Sequence, residues 1–334
     1  MDTISSFCFA KPIGATNAPG FHAAPVIALD TALPLMHIFV HFPTIRKLMM
    51  KTPPSWLALW DKSLEGYLHL RTMLGQQIRD ILADPSTLSN APHPIIYHSL
   101  LGIKDPIDDI GSINKPLISR PISTSDLDEE AFLLVFAGSD TGGNVLSSGL
   151  IRILDNPRVH QRLKQELQEA WPSLENKPRY EDLEKLPYLR AVVKESLRMN
   201  HAVVNPMTRV VPKGGASIGG HFVPEGTTVG MSNCFVHWNE TLFSPDARVF
   251  RPERWLEPEA ENLDSWLVSF GKGPRSCLGI NLGNCELYLA FANIFRKFDL
   301  RLDGFSATDL KWRDVYLPLH IGSDMNIFAA PSIA

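Results

Sequence analysis

Phe270-Gly271-Lys272-Gly273-Pro274-Arg275-Ser276-Cys277-Leu278-Gly279 is the stretch on which the reading of this 334-residue chain turns. Three glycines surround one cysteine within ten residues. Glycine adopts backbone conformations closed to other residues and leaves room where another group comes close. Gly271, Gly273 and Gly279 therefore predict tight turns and a backbone that lies against a partner. A helix is predicted to start near Leu278 and to fit residues 280–298. The free N–H groups at its first turn favour an anion, so Cys277 just ahead of it is placed to be a thiolate. Arg275 supplies a cation two residues away. The bland reading is a glycine-rich loop with an inert, buried cysteine.

Outward from this stretch, the bulk properties exclude several classes. Charged residues make up 20% of the chain and the net charge is −4, with no long Lys/Arg run, so no nucleic-acid partner is expected. The hydrophobic fraction of 44% permits a sizeable core. Cys8, Cys234, Cys277 and Cys285 form no C-x-x-C pair and match no zinc spacing. The N-terminal Met1-Asp2-Thr3-Ile4 lacks a basic region followed by an apolar one, so no signal peptide is expected. Residues 23–42 are the most apolar early stretch. They contain Asp30, two His and two Pro, which predicts a poor membrane helix.

The chain reads as one domain, 1–334, with a helical part (1–205), a β-rich part with the cysteine loop (206–279), and a C-terminal helix and strands (280–334). A helix is predicted within 55–83. A second, of about 30 residues, is expected from an N-cap at Ser125 to Leu154, with shorter ones over 157–170 and 186–200. Gly, Pro and β-branched residues over 207–231 predict short strands and turns.

Two further patterns lie on these helices. Ala137-Gly138-Ser139-Asp140-Thr141 sits mid-way along the longest one. Gly138 permits a local opening, Thr141 offers a hydroxyl, and Asp140 offers an acid for proton transfer. Small residues in a helix more often just allow close packing, and the following Gly142-Gly143 is expected to loosen it. Glu195-Ser196-Leu197-Arg198 places opposite charges three residues apart on one helical face. On most helices such a pair lies on the surface and contributes little.

Together these residues resemble the cytochrome P-450 family. Residues 270–279 fit its F-G-x-G-x-R-x-C-x-G haem signature, a chance match on the order of 10⁻⁵ or less. Residues 137–141 resemble its A-G-x-[DE]-T motif. Phe250-Arg251-Pro252-Glu253-Arg254-Trp255 resembles its P-E-R-F/W segment, and the spacing from Thr141 to Cys277 (277 − 141 = 136) is similar. The wording around the motifs is similar to fungal secondary-metabolism members, trichodiene-oxygenase-type enzymes among them.

The resemblance implies a mainly α fold with small β-sheets, and haem b with Cys277 as axial thiolate. Phe270, Gly271, Gly273 and Gly279 would shape the haem loop. Arg275 and Arg209, the latter in Pro206-Met207-Thr208-Arg209, would pair with haem propionates. Asp140 and Thr141 would serve oxygen activation, and Glu195, Arg198 and Arg254 would form a structural network. Glu286, on the helix after the cysteine, also matches. Phe136–Ala137, Ala202–Asn205 and Tyr316–Leu317 would line a pocket for a small lipophilic substrate. The expected electron source is an NADPH-dependent reductase, docked on a basic patch of Lys272, Arg296 and Lys297 or on none, since a solvated face explains those residues equally well. His237 and Trp238 read as packing or surface groups, and Cys285 as buried and inert.

The expected activity is a haem-thiolate monooxygenase. Two other readings fit the same residues: a remnant that binds haem weakly, and a haem-thiolate isomerase or dehydratase. Only 140 residues precede Thr141, about half the lead the resemblance implies. The expectation is that the membrane anchor, which would hold a full-length relative on the cytoplasmic face of the endoplasmic reticulum, lies in the missing part. Membrane association is then expected only through that anchor, and haem binding is expected to be weaker than in a longer form.

Overall fold

The structure, a computed structural model, describes residues 1–52, 63–84, 86–89, 91–101, 123–200, 202–243, 245–322 and 325–332. Among the described residues the architecture is mainly helical with four two-stranded antiparallel sheets, as the resemblance implied. The chain divides into two compact units, Met1–Asp140 and Thr141–Ala334. The predicted helix start near residue 55 lies outside the described residues.

In the first unit the helices are α1 (Asp2–Phe9), α2 (Ala24–His41), α3 (Pro43–Lys51), α4 (Ser63–Ala83), α5 (Ser86–Ser89) and α6 (Ile96–Leu101). Helix α2 buries Ala28, Leu29, Ala32 and Leu33, one stripe at helical spacing, and packs on α4. The segment Pro19–His41 is long and apolar enough, by length and composition, to cross a membrane, with mean hydropathy 1.7. The expectation of a poor membrane helix is not met by length and composition, the only grounds on which the segment qualifies. Pro25 falls in the first turn, where an N–H has no helical partner anyway, and the single interior Pro34 does not end the helix.

Helix α7 (Thr124–Leu154) is 31 residues long and runs from the first unit into the second. Its start is corrected by two residues. Ser123, not Ser125, caps it: the Asp126 N–H donates to Ser123 Oγ, and the Asp126 carboxylate accepts from the Ser123 N–H. No break occurs at Gly138 or at Gly142-Gly143. A Cβ at Gly138 would stand 2.6 Å from Ile4 Cγ1, so glycine here serves the close approach of α1 rather than an opening.

The second unit continues with α8 (Pro157–Ala170), α9 (Tyr180–Leu183), α10 (Pro187–Met199), α11 (Asn233–His237), α12 (Ala260–Asp264) and α13 (Ile280–Lys297). Its core joins Val145 and Ile153 of α7, Val159, Leu163 and Leu167 of α8, Val192 and Leu197 of α10, and Phe291 and Phe295 of α13. Spacings of four keep the α8 and α13 sets each on one face, and each fully buried side chain stabilises by about 1.5–3 kcal/mol. The elements cross closely at Gly149, where a Cβ would lie 2.6 Å from Ser196 Oγ and 2.7 Å from Phe291 Cζ. Strands β1 (Arg209–Val210) and β4 (Thr228–Val229) pair, as do β2 (Ala216–Ile218) and β3 (His221–Val223). Near the C-terminus β5 (Phe298–Asp303) pairs with β8 (Asn326–Pro331), and β6 (Trp312–Val315) with β7 (Leu317–His320).

Candidate functional site

The cysteine loop is held at both ends. Upstream, the Val268 N–H donates to His237 Nε2 at 3.0 Å and Ser269 Oγ donates to the Leu197 carbonyl at 2.8 Å. Within it, the Cys277 N–H donates to the Phe270 carbonyl at 2.7 Å, and Ser276 N–H to Gly273. Gly271 (φ 69°) and Gly273 (φ 77°) occupy the left-handed region that the turn requires. Phe270 anchors the loop on the core, with its ring over Gly283 of α13. Downstream, α13 begins at Ile280, so Cys277 stands three residues ahead of it.

The result is a fixed loop that presents its reactive group outward. Cys277 is exposed, and so are Arg275 and Leu278, the latter 90% exposed. An exposed leucine beside a free thiol on a rigid loop is a surface shaped to be covered by an apolar, flat group. No cluster of three His, Cys, Asp or Glu residues suited to a metal exists among the described residues. A single soft sulfur donor fits a metal whose other positions a macrocycle fills, which is the haem case. The residues present therefore fit haem. Arg275 and Arg209 are both exposed, and Arg209 donates to its neighbour's carbonyl, Thr208 O.

Behind the loop, the structure brings Glu195, Arg198 and Arg254 together. Arg198 donates to both Glu195 oxygens (2.9 and 2.8 Å) and to the His237 carbonyl (2.7 Å). Arg254 Nε donates to Glu195 Oε1 at 3.2 Å and its Nη1 to Asp246 at 3.0 Å. Trp255 Nε1 completes the set on Glu195 Oε2 at 2.9 Å. Glu195 and Arg198 are fully buried and Arg254 is 1% exposed. Two cations face two carboxylates, so the buried charge is balanced.

His237, read from the sequence as a packing or surface group, emerges as a member of this arrangement. It is fully buried, its carbonyl accepts from Arg198, and its ring nitrogen accepts from the loop. Burial, with Arg198 nearby, pushes its pKa down to about 3, so the ring stays neutral and keeps an acceptor nitrogen. One corrected member leaves the basic patch. Arg296 is 2% exposed and donates to the Trp171 and Pro172 carbonyls, so it is structural. Cys285 is half-buried, and burial raises its thiol pKa.

On α7, Asp140 is half-buried with Oδ2 buried and unpartnered. Burial first, and the charge of Asp30 second, push its carboxyl up to about 6. Gly142, two residues on, lies beside the carboxylate of Glu286: a Cβ there would stand 3.6 Å from Oε2, and burial raises that carboxyl too. The Val204 N–H donates to the Tyr316 carbonyl at 3.2 Å, so two of the expected pocket segments meet. Tyr316 holds φ 86°, a strained conformation for a non-glycine residue.

A pH effect follows from Asp140. Its folded pKa of about 6 exceeds the ordinary 3.8. Below 3.8 both folded and unfolded chains hold the proton. Between the two values only the folded chain does, so this group's contribution to stability falls as pH rises from about 4 to 6 and is constant above. Asp140→Asn should remove that part. Urea unfolding of the two proteins should give a wild-type minus variant difference that declines over this window, and a flat difference would contradict the shift.

Comparison with known proteins shows the family. Residues 103–317 match the sequence profile of the family described as Cytochrome P450. The chain is similar to cytochrome P450 monooxygenase macH of Penicillium terrestre, 37% identical over 97% of this chain and 62% of that protein. It is similar to cytochrome P450 monooxygenase flvC of Aspergillus flavus (31%, covering 98% and 58%) and penB of Penicillium thymicola (31%, covering 94% and 68%). The chain thus spans about three-fifths of the length of the first two relatives.

Proposed function

Because this chain belongs to the cytochrome P450 family, we propose that it acts as the haem-thiolate part of a monooxygenase that places one oxygen atom from O₂ into a small lipophilic molecule. The observation that carries the reading is the exposed Cys277 on a loop fixed by Val268, Ser269 and Phe270. The resemblance of the motifs to fungal secondary-metabolism members extends this reading to a terpenoid or polyketide-like substrate.

In this reading, bound haem supplies the activation of O₂. Cys277 would hold the iron through sulfur. The hydrogen bonds of Val268, Ser269 and the Cys277 N–H that anchor its loop would fix where that sulfur stands. Arg275 and Arg209 would neutralise the propionates. Asp140, protonated below about pH 6, holds a proton on a buried carboxyl, and Thr141 offers the next hydroxyl along α7. Electrons come from NADPH through a reductase. Association with the endoplasmic-reticulum membrane belongs to the same reading, supported only by the length and composition of Pro19–His41.

The test is turnover with NADPH and a reductase, counting product, peroxide and oxygen consumed. Wild type should form product in proportion to NADPH. Thr141→Ala should keep consuming oxygen while shifting the yield from product to peroxide, about tenfold or more, the usual size of a lost proton-transfer group. Coupling unchanged in Thr141→Ala would remove the relay role. Product formation from a substrate isomer without NADPH would favour the isomerase reading instead.

A further inference from the structure

A second site lies away from the cysteine loop. A cavity of about 60 Å³ sits among the C-terminal half of α7, the end of α10 and the β6–β7 hairpin. Arg152, Lys311 and His320 line it together with Ser147, Asn200 and Trp312, and among the described residues no acidic one does. The volume suits one small polyatomic ion.

Arg152 is the informative residue. It is half-buried, yet its one hydrogen bond is a long 3.4 Å contact from Nε to Ser148 Oγ. Among the described residues no carboxylate stands within ion-pair distance of it. Glu195 and Asp155 act on it only from farther off, and Arg198 repels it. Arg198 and Arg254 are paired by carboxylates and carbonyls, and Arg296 donates to carbonyls through Nε and Nη2, its Nη1 being buried without a partner. A guanidinium carries five donors, and leaving most of them without an acceptor in a confined place costs free energy. The burial that lowers its pKa acts in the same direction.

The opposite deficit lies across the cavity. Asn200 is 9% exposed; its Nδ2 donates to the Asn144 carbonyl at 2.7 Å, while its Oδ1 is buried and unpartnered. Many unspent donors on two cations, with one unspent acceptor, complement an anion of several oxygens that carries one hydroxyl. We propose that this cavity is a binding subsite for a small oxyanion, gripped by Arg152 and Lys311, with Asn200 accepting the hydroxyl of a hydrogen phosphate. The site uses no residue of the cysteine loop, although Val204, in a segment expected to line the substrate pocket, also lines this cavity; its test needs neither haem nor turnover, so its failure is distinguishable from that of the monooxygenase reading.

The experiment titrates the purified full chain with inorganic phosphate at constant ionic strength, with chloride as control. Trp312 fluorescence and melting temperature report binding. A saturable change specific to phosphate is expected, weakened about tenfold or more in Arg152→Met and less in Lys311→Met, since a bidentate fork outweighs a point charge. A second arm uses octanoate against acetate. Octanoate binding tighter than phosphate would assign the site to the acid group of a lipophilic molecule, and phosphate binding tighter would assign it to the free ion. Should Arg152→Met fail to fold, Lys311→Met, an exposed loop position, decides alone. No response beyond that of chloride in wild type, or wild-type affinity in the folded variants, would overturn the proposal.

Discussion

Glu195→Ala is expected to destabilise the Thr141–Ala334 unit by about 3–5 kcal/mol, the cost of removing one partner from a buried charge network. The size follows from what the carboxylate holds. It accepts from Arg198 twice, from Arg254 Nε, from Trp255 Nε1 and from the Arg251 N–H. Its loss leaves Arg198 with carbonyls and the Met199 sulfur, and Arg254 with Asp246 and carbonyls, so one buried positive charge is uncompensated. A cavity in a packed region adds to this. Against a typical total of about 5–15 kcal/mol, most of the protein should be insoluble or proteolysed. Glu195→Gln keeps the shape and part of the bonding and should fall between. Urea denaturation of whatever soluble protein is recovered measures the difference. A midpoint shift of less than about 0.5 kcal/mol for Glu195→Ala would place the network among ordinary surface pairs.

The second large effect separates cofactor binding from folding. Cys277→Ala should leave the unfolding free energy of the haem-free chain within about 0.5 kcal/mol, since the side chain is exposed and supports nothing in the core. Haem retention on gel filtration should nonetheless collapse, because in the proposed reading Cys277 is the sulfur that would hold the iron. Cys285→Ala serves as the control. Its half-buried thiol sits on the second turn of α13 and should not affect retention. Loss of haem in Cys285→Ala with retention in Cys277→Ala would assign the ligand to the other cysteine.

How far these features could be read beforehand depends on how local they are. Helices α8, α10 and α13 were legible within a residue or two, because apolar spacing and a stop signal lie inside each segment. The α7 cap was misplaced because Ser123 and Ser125 are equally good cap residues in sequence. Only the reciprocal bond with Asp126 distinguishes them. The cysteine loop was legible because its chemistry is written in ten consecutive residues. His237 was not: its partner Val268 is 31 residues away, and a lone histidine carries no sign of that bond. The same holds for Trp255, 60 residues from Glu195. Arg296 was misread because its charge suggested a surface, whereas its acceptors are backbone carbonyls about 125 residues upstream. Gly138 was misread because helix opening and close packing call for the same residue, and Ile4 decides between them only in three dimensions.

The central claim is that Cys277 holds haem iron through a thiolate. The most direct measurement is the absorption spectrum of the haem-loaded chain, reduced and exposed to carbon monoxide. The account predicts the red-shifted Soret band of thiolate ligation in the wild type and in Cys285→Ala, and its absence in Cys277→Ala. A wild-type band of the histidine-ligated kind, or a thiolate band that survives Cys277→Ala, would contradict it.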